Sequence, residues 1–334
     1  MRLRKLFGLV TGAMIAHFAA HADGIVDPSR APYLEAFKGK TVAFLPLSMG
    51  FDLTQAWGAV MKQQADQLGY KFVIRDPNWS TDAGAQALTQ LISEKPYAIV
   101  LQNPDIQSYA RLLKKAEQDG IYVLQVNMKS AFPTEFYAGT DYNGLGEQAA
   151  KLVVDRCGKA SGKSGKIAIV QGVLTGGASV YQMEGVSKVL ADHPEIKVVS
   201  NQAADWDGSK ARAITETVLQ QNPDLCGVIG FWDGQDIGIG AAVREAGKTG
   251  QVYVVTSGGG AQSACDNVAN GTFDAYFNYD AVGQGRDLND GLRVLFQSNP
   301  KPGTMKVMLY SKVTLLTKAN LRPGMCWTKE TLAQ

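Results

Sequence analysis

Histidine is scarce in this chain, and neither sign of charge is in excess. The 334 residues include three histidines, and two of them, His17 and His21, fall in a leader-like N-terminal stretch. With His193 alone remaining, histidine-rich metal sites and Ser-His-Asp triads are disfavoured as the basis of function. Lys plus Arg total 33 against 31 for Asp plus Glu, so we expect no nucleic-acid-binding surface.

Cysteine is present four times, but the Cys-x-x-Cys spacing of a structural zinc site is absent. The four residues are Cys157, Cys226, Cys265 and Cys326. An even number in an exported chain indicates disulfides, and four cysteines allow three pairings that the sequence does not distinguish. Buried free thiols are the alternative. We expect no metal and no cofactor.

The N-terminus has the pattern of an export signal. Arg2, Arg4 and Lys5 precede an apolar stretch from Leu6 to Ala20, which is too short to span a bilayer comfortably. Ala20-His21-Ala22 then fits the small-x-small cleavage pattern. We therefore predict a signal peptide over residues 1–22, cleaved before Asp23, with a membrane anchor as the alternative. Later in the chain no apolar run approaches 18 residues.

Short apolar strands alternate with amphipathic helices along the rest of the chain, which predicts parallel sheets covered by helices. The expected strands of the first half are 41–47, 70–75, 97–101 and 121–126, with helices at 56–68, 82–93 and 108–118. In the second half we expect strands at 166–171, 197–201, 227–231 and 252–256, with helices at 144–157, 179–191, 209–221 and 235–246.

Two landmarks repeat at the same distance along the chain. Trp79 and Trp206 are 127 residues apart, and so are Pro96 and Pro223. Each proline follows a predicted helix and precedes an apolar strand. The matching offsets indicate an internal duplication, so we interpret the chain as two similar α/β domains.

Ligands of such sheets bind beyond the carboxyl ends of the strands. The loops there carry aromatic rings and short polar side chains, for example around Trp79, Asn103, Trp206 and Trp232. Two such ends facing each other predict a cleft for a small ligand with several hydroxyl groups. The alternative for Trp79 and Trp206 is simple packing at the rim or in the core.

Two glycine-rich segments superficially suggest nucleotide binding. The segment from Gly158 to Ser164 has one residue too few between its glycines for a Walker loop, and it precedes its strand. The segment from Gly144 to Ala149 lacks the acidic residue expected about 20 positions later in a dinucleotide-binding fold. We interpret the first as a solvated turn and the second as a helix start.

The order of several short motifs resembles the periplasmic sugar-binding proteins of ABC importers, in particular the ribose-binding type. The motifs are Ala65-Asp-Gln-Leu-Gly-Tyr70, Asn103-Pro104, Gly139-Thr-Asp-Tyr-Asn-Gly144, Ala204-Asp-Trp-Asp207, Asn222-Pro-Asp224 and Trp232-Asp233. The resemblance covers nearly all of residues 41–318.

This resemblance implies a type I periplasmic binding protein fold, in which two Rossmann-like parallel-sheet domains are joined by a hinge of three crossings. The crossings would fall near Thr140-Asp141, Tyr279-Asp280 and Ser311 to Val313. The N-terminal lobe would comprise residues 23–140 and 280–312, and the C-terminal lobe 141–279 and 313–334. All four cysteines would lie in the C-terminal lobe, where we favour a Cys265–Cys326 disulfide.

The cleft positions implied by the resemblance depart from the ribose-binding pattern. Both arginines and two aspartates of that pattern are missing, while Trp206 and Trp232 replace smaller side chains. A cleft richer in rings and poorer in charge favours another sugar, a deoxy sugar, a polyol or a small glycoside. The expected ligand-binding residues are Ser48, Phe51, Asp52, Thr54, Asn103, Asn127, Ser179, Tyr181, Trp206, Trp232, Asp233 and Tyr279.

The function that the resemblance implies is capture without catalysis. The protein would act in the periplasm as a monomer, close about its hinge on a sugar or polyol, and deliver it to an ABC permease of the inner membrane. The alternative is a receptor subunit that presents a ligand, such as a furanosyl autoinducer, to a chemotaxis or quorum-sensing system.

Overall fold

The computed structural model describes residues 27–332, and these form two six-stranded sheets. The strands are β1 (Thr41–Leu45), β2 (Lys71–Ile74), β3 (Ala98–Leu101), β4 (Tyr122–Val126), β5 (Phe136–Gly139), β6 (Lys166–Gln171), β7 (Lys197–Ala203), β8 (Gly227–Gly230), β9 (Tyr253–Gly258), β10 (Ala275–Asn278), β11 (Val307–Tyr310) and β12 (Thr314–Leu316). The predicted signal peptide, residues 1–22, lies outside the described residues.

Both sheets follow one plan. The first has the strand order β11-β5-β4-β3-β1-β2, and the second has the order β12-β10-β9-β8-β6-β7. Every neighbouring pair is parallel except β12 with β10, which is antiparallel. Strands β3, β4 and β8 are buried at every position, as expected for parallel strands covered on both faces. The predicted fold class is therefore confirmed.

Helices cover both faces of each sheet. They are α1 (Arg30–Glu35), α2 (Asp52–Leu68), α3 (Thr81–Glu94), α4 (Ala110–Gln118), α5 (Tyr142–Cys157), α6 (Gly177–Leu190), α7 (Gly208–Gln221), α8 (Asp233–Glu245), α9 (Gln262–Ala269), α10 (Ala281–Ser298) and α11 (Lys329–Leu332). Capping residues define where several of these helices begin or end. Gly69, at φ 76°, ends α2, and the Asp207 carboxylate begins α7 by accepting the Ser209 and Lys210 N–H groups.

The chain crosses between the sheets three times. It leaves the first sheet after β5 and enters α5, which packs on α6 beside the second sheet. It returns after β10 through α10, which packs on α2, and it crosses again between β11 and β12. The connecting residues are 140–141, 279–280 and 311–313. We call the part built on the first sheet the first lobe and the part built on the second sheet the second lobe.

One buried side chain touches all three crossings. The Gln284 Nε2 group lies 3.2 Å from Thr140 Oγ1, 3.3 Å from the Tyr279 carbonyl oxygen and 3.1 Å from Ser311 Oγ. Its Oε1 accepts a hydrogen bond from Trp57 Nε1 at 3.2 Å. Gln284 therefore ties the three connecting segments to helix α2 of the first lobe.

Two disulfides join segments of the second lobe. Cys157, at the end of α5, is bonded to Cys226 just before β8, and Cys265 in α9 is bonded to Cys326 in the C-terminal tail. The tail also pairs with the second sheet through β12. These links hold the tail on the lobe that it enters last.

Residues 27–332 show neither a bilayer-length apolar helix nor a cluster of metal ligands. No helix in this range is long and apolar enough to cross a bilayer. No group of three or more His, Cys, Asp or Glu side chains in the same range is placed to hold a metal ion.

Candidate functional site

A cavity lies between the two lobes, and the empty space within it, open solvent included, is about 330 Å³. It is lined by Leu47, Phe51, Leu53, Trp79, Gln102, Asn127, Met128, Tyr142, Ala178, Trp206, Phe231, Trp232 and Tyr279. Gln102, Asn127, Phe231 and Tyr279 each directly follow a strand, since the carboxyl ends of both parallel sheets face the cavity.

Four aromatic rings form a continuous wall across the cavity. In the first lobe the rings of Phe51 and Trp79 stack with centroids 4.9 Å apart. In the second lobe Trp206 meets Trp232 edge to face at 6.3 Å. Phe51 and Trp232 then touch across the gap at 5.5 Å. The wall thus combines rings from both lobes, and it is complete only while the lobes are together.

Direct contacts show that the lobes are closed in this structure. The Ile106 N–H group of the first lobe donates to the Thr175 carbonyl oxygen of the second at 3.1 Å. Gly259, after β9, lies so close to Leu53 of α2 that an added Cβ would collide with the leucine side chain. The cavity is therefore bordered by direct contacts between the lobes.

The two tryptophans that are 127 residues apart occupy the same kind of turn. Trp79 has φ 69° and follows Asn78 at φ 46°, while Trp206 has φ 65° and follows Asp205 at φ 53°. Two consecutive non-glycine residues in the left-handed region are unusual and cost energy. Each turn follows the second strand of its sheet, so the duplication extends to the backbone of the site.

Two glycines leave room for the indole rings of the second lobe. An added Cβ on Gly172 would collide with the Trp206 ring, and one on Gly234 would collide with the Trp232 ring. Both rings are half-buried. Each indole ring therefore packs directly against the main chain of a glycine, so a shift of that main chain would move the ring.

Three polar groups of the cavity residues lack a hydrogen-bond partner within the described structure. They are the Nδ2 group of Asn127 and the indole Nε1 groups of Trp206 and Trp232, all buried. A buried donor without a partner costs about 1–3 kcal/mol, and native structures contain few such groups. The cavity is thus suited to a ligand that supplies oxygen acceptors.

The twelve residues predicted to bind ligand divide into two groups. Five line the cavity: Phe51, Asn127, Trp206, Trp232 and Tyr279. The other seven lie around it without lining it: Ser48, Asp52, Thr54, Asn103, Ser179, Tyr181 and Asp233.

Several of the seven point away from the cavity because the main chain engages them. The Thr54 hydroxyl donates to the Ser48 carbonyl oxygen at 2.6 Å and so fixes the first turn of α2. The Asn103 Nδ2 group donates to Gln125 Oε1 at 2.8 Å and to the Met128 carbonyl oxygen at 2.9 Å. These side chains hold the loops that carry the lining residues.

Ser179 and Tyr181 lie on the first turns of α6. The Ser179 hydroxyl is buried without a partner in the described structure. The Tyr181 ring is half-buried, and Lys129 Nζ of the first lobe lies 4.7 Å above its centroid. Tyr181 therefore contributes a cation–π contact between the lobes.

Asp52 and Asp233 begin α2 and α8, one from each lobe. Burial raises the pKa of both carboxyl groups, and the Asp52 charge raises the pKa of Asp233 further. A hydrogen bond from the Leu53 N–H group lowers the pKa of Asp52, and one from Tyr276 lowers that of Asp233. Closure therefore brings two like charges into mutual range in a poorly hydrated place.

Eight lining residues were not among the predicted site residues. They are Leu47, Leu53, Trp79, Gln102, Met128, Tyr142, Ala178 and Phe231. Position at a strand end identifies several of them: Leu47 and Phe231 end predicted strands, and Gln102 directly follows one. Tyr142 lies on the first turn of α5, where its ring centroid is 6.3 Å from that of Tyr279. It belongs to the motif at residues 139–144, one of those that carry the family resemblance.

The two glycine-rich segments have structural roles. Residues Lys159–Ser161 form a short 3-10 turn before β6 and lie away from the cavity. Gly146 is inside α5, where an added Cβ would collide with the Gln182 carbonyl oxygen of α6. The glycine therefore permits close helix packing.

Comparison with known proteins is consistent across sequence and structure. The sequence model of a family described as "Periplasmic binding protein domain" matches residues 42–297. The D-apiose import binding protein of Actinobacillus succinogenes is 26% identical over 196 residues, which are 58% of this chain and 62% of that protein. The D-allose-binding periplasmic protein of Escherichia coli is 31% identical over 153 residues, 43% of this chain and 48% of that protein. The match thus spans less than two thirds of either relative.

A solved structure gives a similar picture of the fold. An ABC transporter solute-binding protein from Agrobacterium vitis, bound with α-D-tagatopyranose, superposes with a TM-score of 0.76. The two are 22% identical, and the alignment covers 86% of this chain and 97% of that one. At this identity the likeness shows a shared fold.

Proposed function

The chain belongs to the periplasmic binding protein domain family, and we propose that it is the solute-binding component of an ABC importer for a neutral sugar or polyol. The observation that carries this proposal is the inter-lobe cavity with its aromatic wall and three unpartnered N–H donors. The relatives above are named as import or sugar-binding proteins, so we retain the importer role over a receptor subunit.

The chemistry of the cavity favours an uncharged ligand. No lysine or arginine is among its described lining residues, so a carboxylate or phosphate would be buried without a cation at high cost. The faces of Phe51, Trp79, Trp206 and Trp232 suit the C–H surface of a sugar ring. The free N–H groups suit hydroxyl oxygens.

We propose that binding is a hinge closure without any covalent step. The ligand docks on one lobe, the lobes rotate about the three crossings, and the wall of rings closes on it. Differential affinity for the closed form shifts the population toward closure. The closed surface is then the form that an inner-membrane permease distinguishes from the open one, and the ligand leaves chemically unchanged.

The location and boundaries belong to the same proposal. The protein is exported to the periplasm after cleavage near Ala22 and acts as a monomer. Its lobes comprise residues 23–140 with 280–312, and 141–279 with 313–334. The strand composition of the two sheets and the three crossings support these boundaries. Asn127 of the first lobe and Tyr279 at the second crossing complete the ligand contacts with the four rings.

A thermal-shift screen tests the proposal. We expect a pentose, hexose, deoxy sugar or polyol to raise Tm by about 5 °C at a hundredfold excess over its Kd, because ligands that bind only the folded form stabilise it. Amino acids and inorganic phosphate serve as controls and should cause no shift. Incubation followed by NMR should return the ligand intact. A shift produced only by an anion or amino acid, or accumulation of a product, would refute the proposal.

Ligand affinity is expected to fall as pH rises above about 4. Burial raises the pKa of Asp52 and Asp233 from the ordinary value of 3.8, and the Asp52 charge of the opposite lobe raises that of Asp233 further. Opening separates the two charges, so we expect the closed form to hold protons that the open form releases. The closed form is therefore most favoured below the ordinary pKa and loses this advantage as pH rises through the raised values. One unit of pKa difference corresponds to about a tenfold change in affinity.

The pH dependence is measured by titrating tryptophan fluorescence with the identified ligand at several pH values. Asp52→Asn removes one charge of the pair and should flatten the profile, whatever its effect on absolute affinity. The remaining groups near Asp233 are Tyr276, Tyr279 and Asp236. An equally steep pH profile in Asp52→Asn, or a wild-type affinity that increases with pH, would show that the Asp52–Asp233 pair does not cause the pH dependence.

A further inference from the structure

Two polar side chains are completely buried beneath the cavity, on the first turn of α8. Gln235 and Asp236 are both 0% exposed, and neither lines the cavity. Buried amides and carboxylates are costly unless they are fully hydrogen-bonded. Their presence in the second lobe therefore calls for a role that an apolar residue could not fill.

The pair forms a single chain of hydrogen bonds between the two indole-bearing residues. Gln235 Oε1 accepts the main-chain N–H of Trp206 at 2.9 Å. Gln235 Nε2 donates to Asp236 Oδ1 at 3.1 Å. Asp236 Oδ2 accepts the main-chain N–H of Trp232 at 3.1 Å and the hydroxyl of Thr256. The chain thus runs from one tryptophan to the other without a break.

The first lobe shows what the glutamine replaces. In the matching turn, the Trp79 N–H group donates to the Leu47 carbonyl oxygen at 2.7 Å. The Trp206 N–H group of the second lobe bonds a side chain instead. Because Trp206 and its predecessor have positive φ, this turn needs tertiary contacts to hold it. Gln235 supplies one of them from a different element.

Movement of either backbone would pass directly to its ring. Trp206 lies on Gly172 and Trp232 lies on Gly234, with no space for even a methyl group between ring and main chain. The indole N–H groups of both residues are buried donors without a partner in the described structure. Their relative position sets which ligand oxygens can be bonded at the same time.

We propose that Gln235 and Asp236 are positioning residues, a buried amide–carboxylate pair that fixes the two indole rings of the second lobe relative to each other and thereby selects the ligand. The proposal rests on the proposed function for the nature of that ligand. The pair lies wholly within one lobe, so it holds the rings in the open and the closed form alike.

The competing interpretation is that Asp236 is only a helix cap. Its bond to the Trp232 N–H group resembles a capping interaction at the start of α8, which would affect stability alone. That interpretation gives no role to the link from Gln235 to Trp206. The experiment must therefore separate the position of the rings from the stability of the helix.

Exchanging the two polar groups makes this separation. In Asp236→Asn, two side-chain amides face each other. Whichever way either amide is rotated, one NH₂ group meets another N–H donor, either within the pair or at the main-chain N–H of Trp206 or Trp232. In Gln235→Glu, two carboxylate oxygens face each other. The double variant Gln235→Glu with Asp236→Asn restores a donor opposite every acceptor, with the same side-chain lengths and the same net charge.

Affinity for the ligand found in the thermal-shift screen is expected to fall at least about fivefold in each single variant and to return to within about twofold in the double variant. The ranking of two related ligands should change in the single variants and recover in the double. The near-UV circular dichroism spectrum of the ligand-free protein should change in each single variant and return to that of the wild type in the double variant. Asp274→Asn is the matched control, since Asp274 accepts the Val254 N–H group at 2.8 Å in the same sheet, away from the cavity.

Two results would overturn the proposal. One is a double variant no better than the worse single variant, with ligand-free spectra that never change. The other is a loss of stability in the single variants with affinity and ranking unchanged, which would reduce the pair to a helix cap. If the wild-type protein bound no sugar or polyol, the proposed function would fail, but the ligand-free spectra would still decide whether the pair positions the rings.

Discussion

Replacing either Trp206 or Trp232 by alanine is expected to weaken ligand binding by at least about tenfold, or about 1.4 kcal/mol. Trp232 is central, because its ring lies within 5.5 Å of Phe51, 6.5 Å of Trp79 and 6.3 Å of Trp206. Its loss would open the wall between the lobes. Large, central aromatic residues dominate many binding sites in the same way.

The measurement is a fluorescence or calorimetric titration with the identified ligand, accompanied by Tm of the ligand-free protein. Both rings are half-buried at the cavity, so we expect the fold to survive. Trp206→Phe and Trp232→Phe keep a ring but lose the indole N–H, and their intermediate affinities would report the hydrogen-bonding part. Trp327→Phe is a control, because that indole bonds the Gly259 carbonyl oxygen at 2.8 Å and does not line the cavity. Wild-type affinity in both alanine variants would place the ligand elsewhere.

Much of the fold could be predicted because the buried strands carry a strong and simple signal. The strand expected at 166–171 has those bounds in the structure, and the helix expected at 82–93 spans Thr81–Glu94. The helix expected to begin at residue 56 begins instead at Asp52. Its first turn is polar, so periodicity alone misses it, and the Thr54 hydroxyl bond to main chain helps to form it.

Other elements had no clear local pattern. Strands β5 and β11 contain four residues each and lie at one side of the first sheet. Their pairing depends on where the rest of the sheet places them. Four residues are too few for a hydrophobic periodicity that would predict a strand from the sequence. The positions of the three crossings were predicted from the family resemblance, because no local sequence pattern marks them.

The site was predictable in position but less so in side-chain detail. The rule that ligands bind at strand ends pointed to Phe51, Trp206 and Trp232, which line the cavity. It does not say which way a polar side chain turns. Asn127 has φ 60° and lines the cavity, while Asn103 turns to Gln125 and the main chain. That choice depends on backbone angles and neighbours distant in sequence.

Replacing Gly259 by valine is expected to lower ligand affinity at least about tenfold, with a smaller effect on the stability of the ligand-free protein. In the closed form an added Cβ would collide with Leu53 of the opposite lobe. Overpacking of this kind costs about 1–3 kcal/mol. The same Cβ would lie 2.8 Å from the Ala281 Cβ beside the second crossing. Because Leu53 and Gly259 belong to different lobes, opening relieves the collision with Leu53, and that part of the cost falls on closure.

A second substitution, at Leu53, distinguishes a steric clash between the lobes from other effects of the valine. Leu53→Ala removes the colliding methyl groups, so affinity in the double variant should recover part of what Gly259→Val alone loses, measured against Leu53→Ala alone. Small-angle scattering should show ligand-induced compaction in the wild type and the double variant, and less of it in Gly259→Val. A valine variant that compacts and binds like the wild type would mean that ligand capture does not need this contact between the lobes. Strictly additive losses in the double variant would mean that the valine acts through the hinge or the tail, where the Gly259 carbonyl oxygen bonds Ala281 and Trp327.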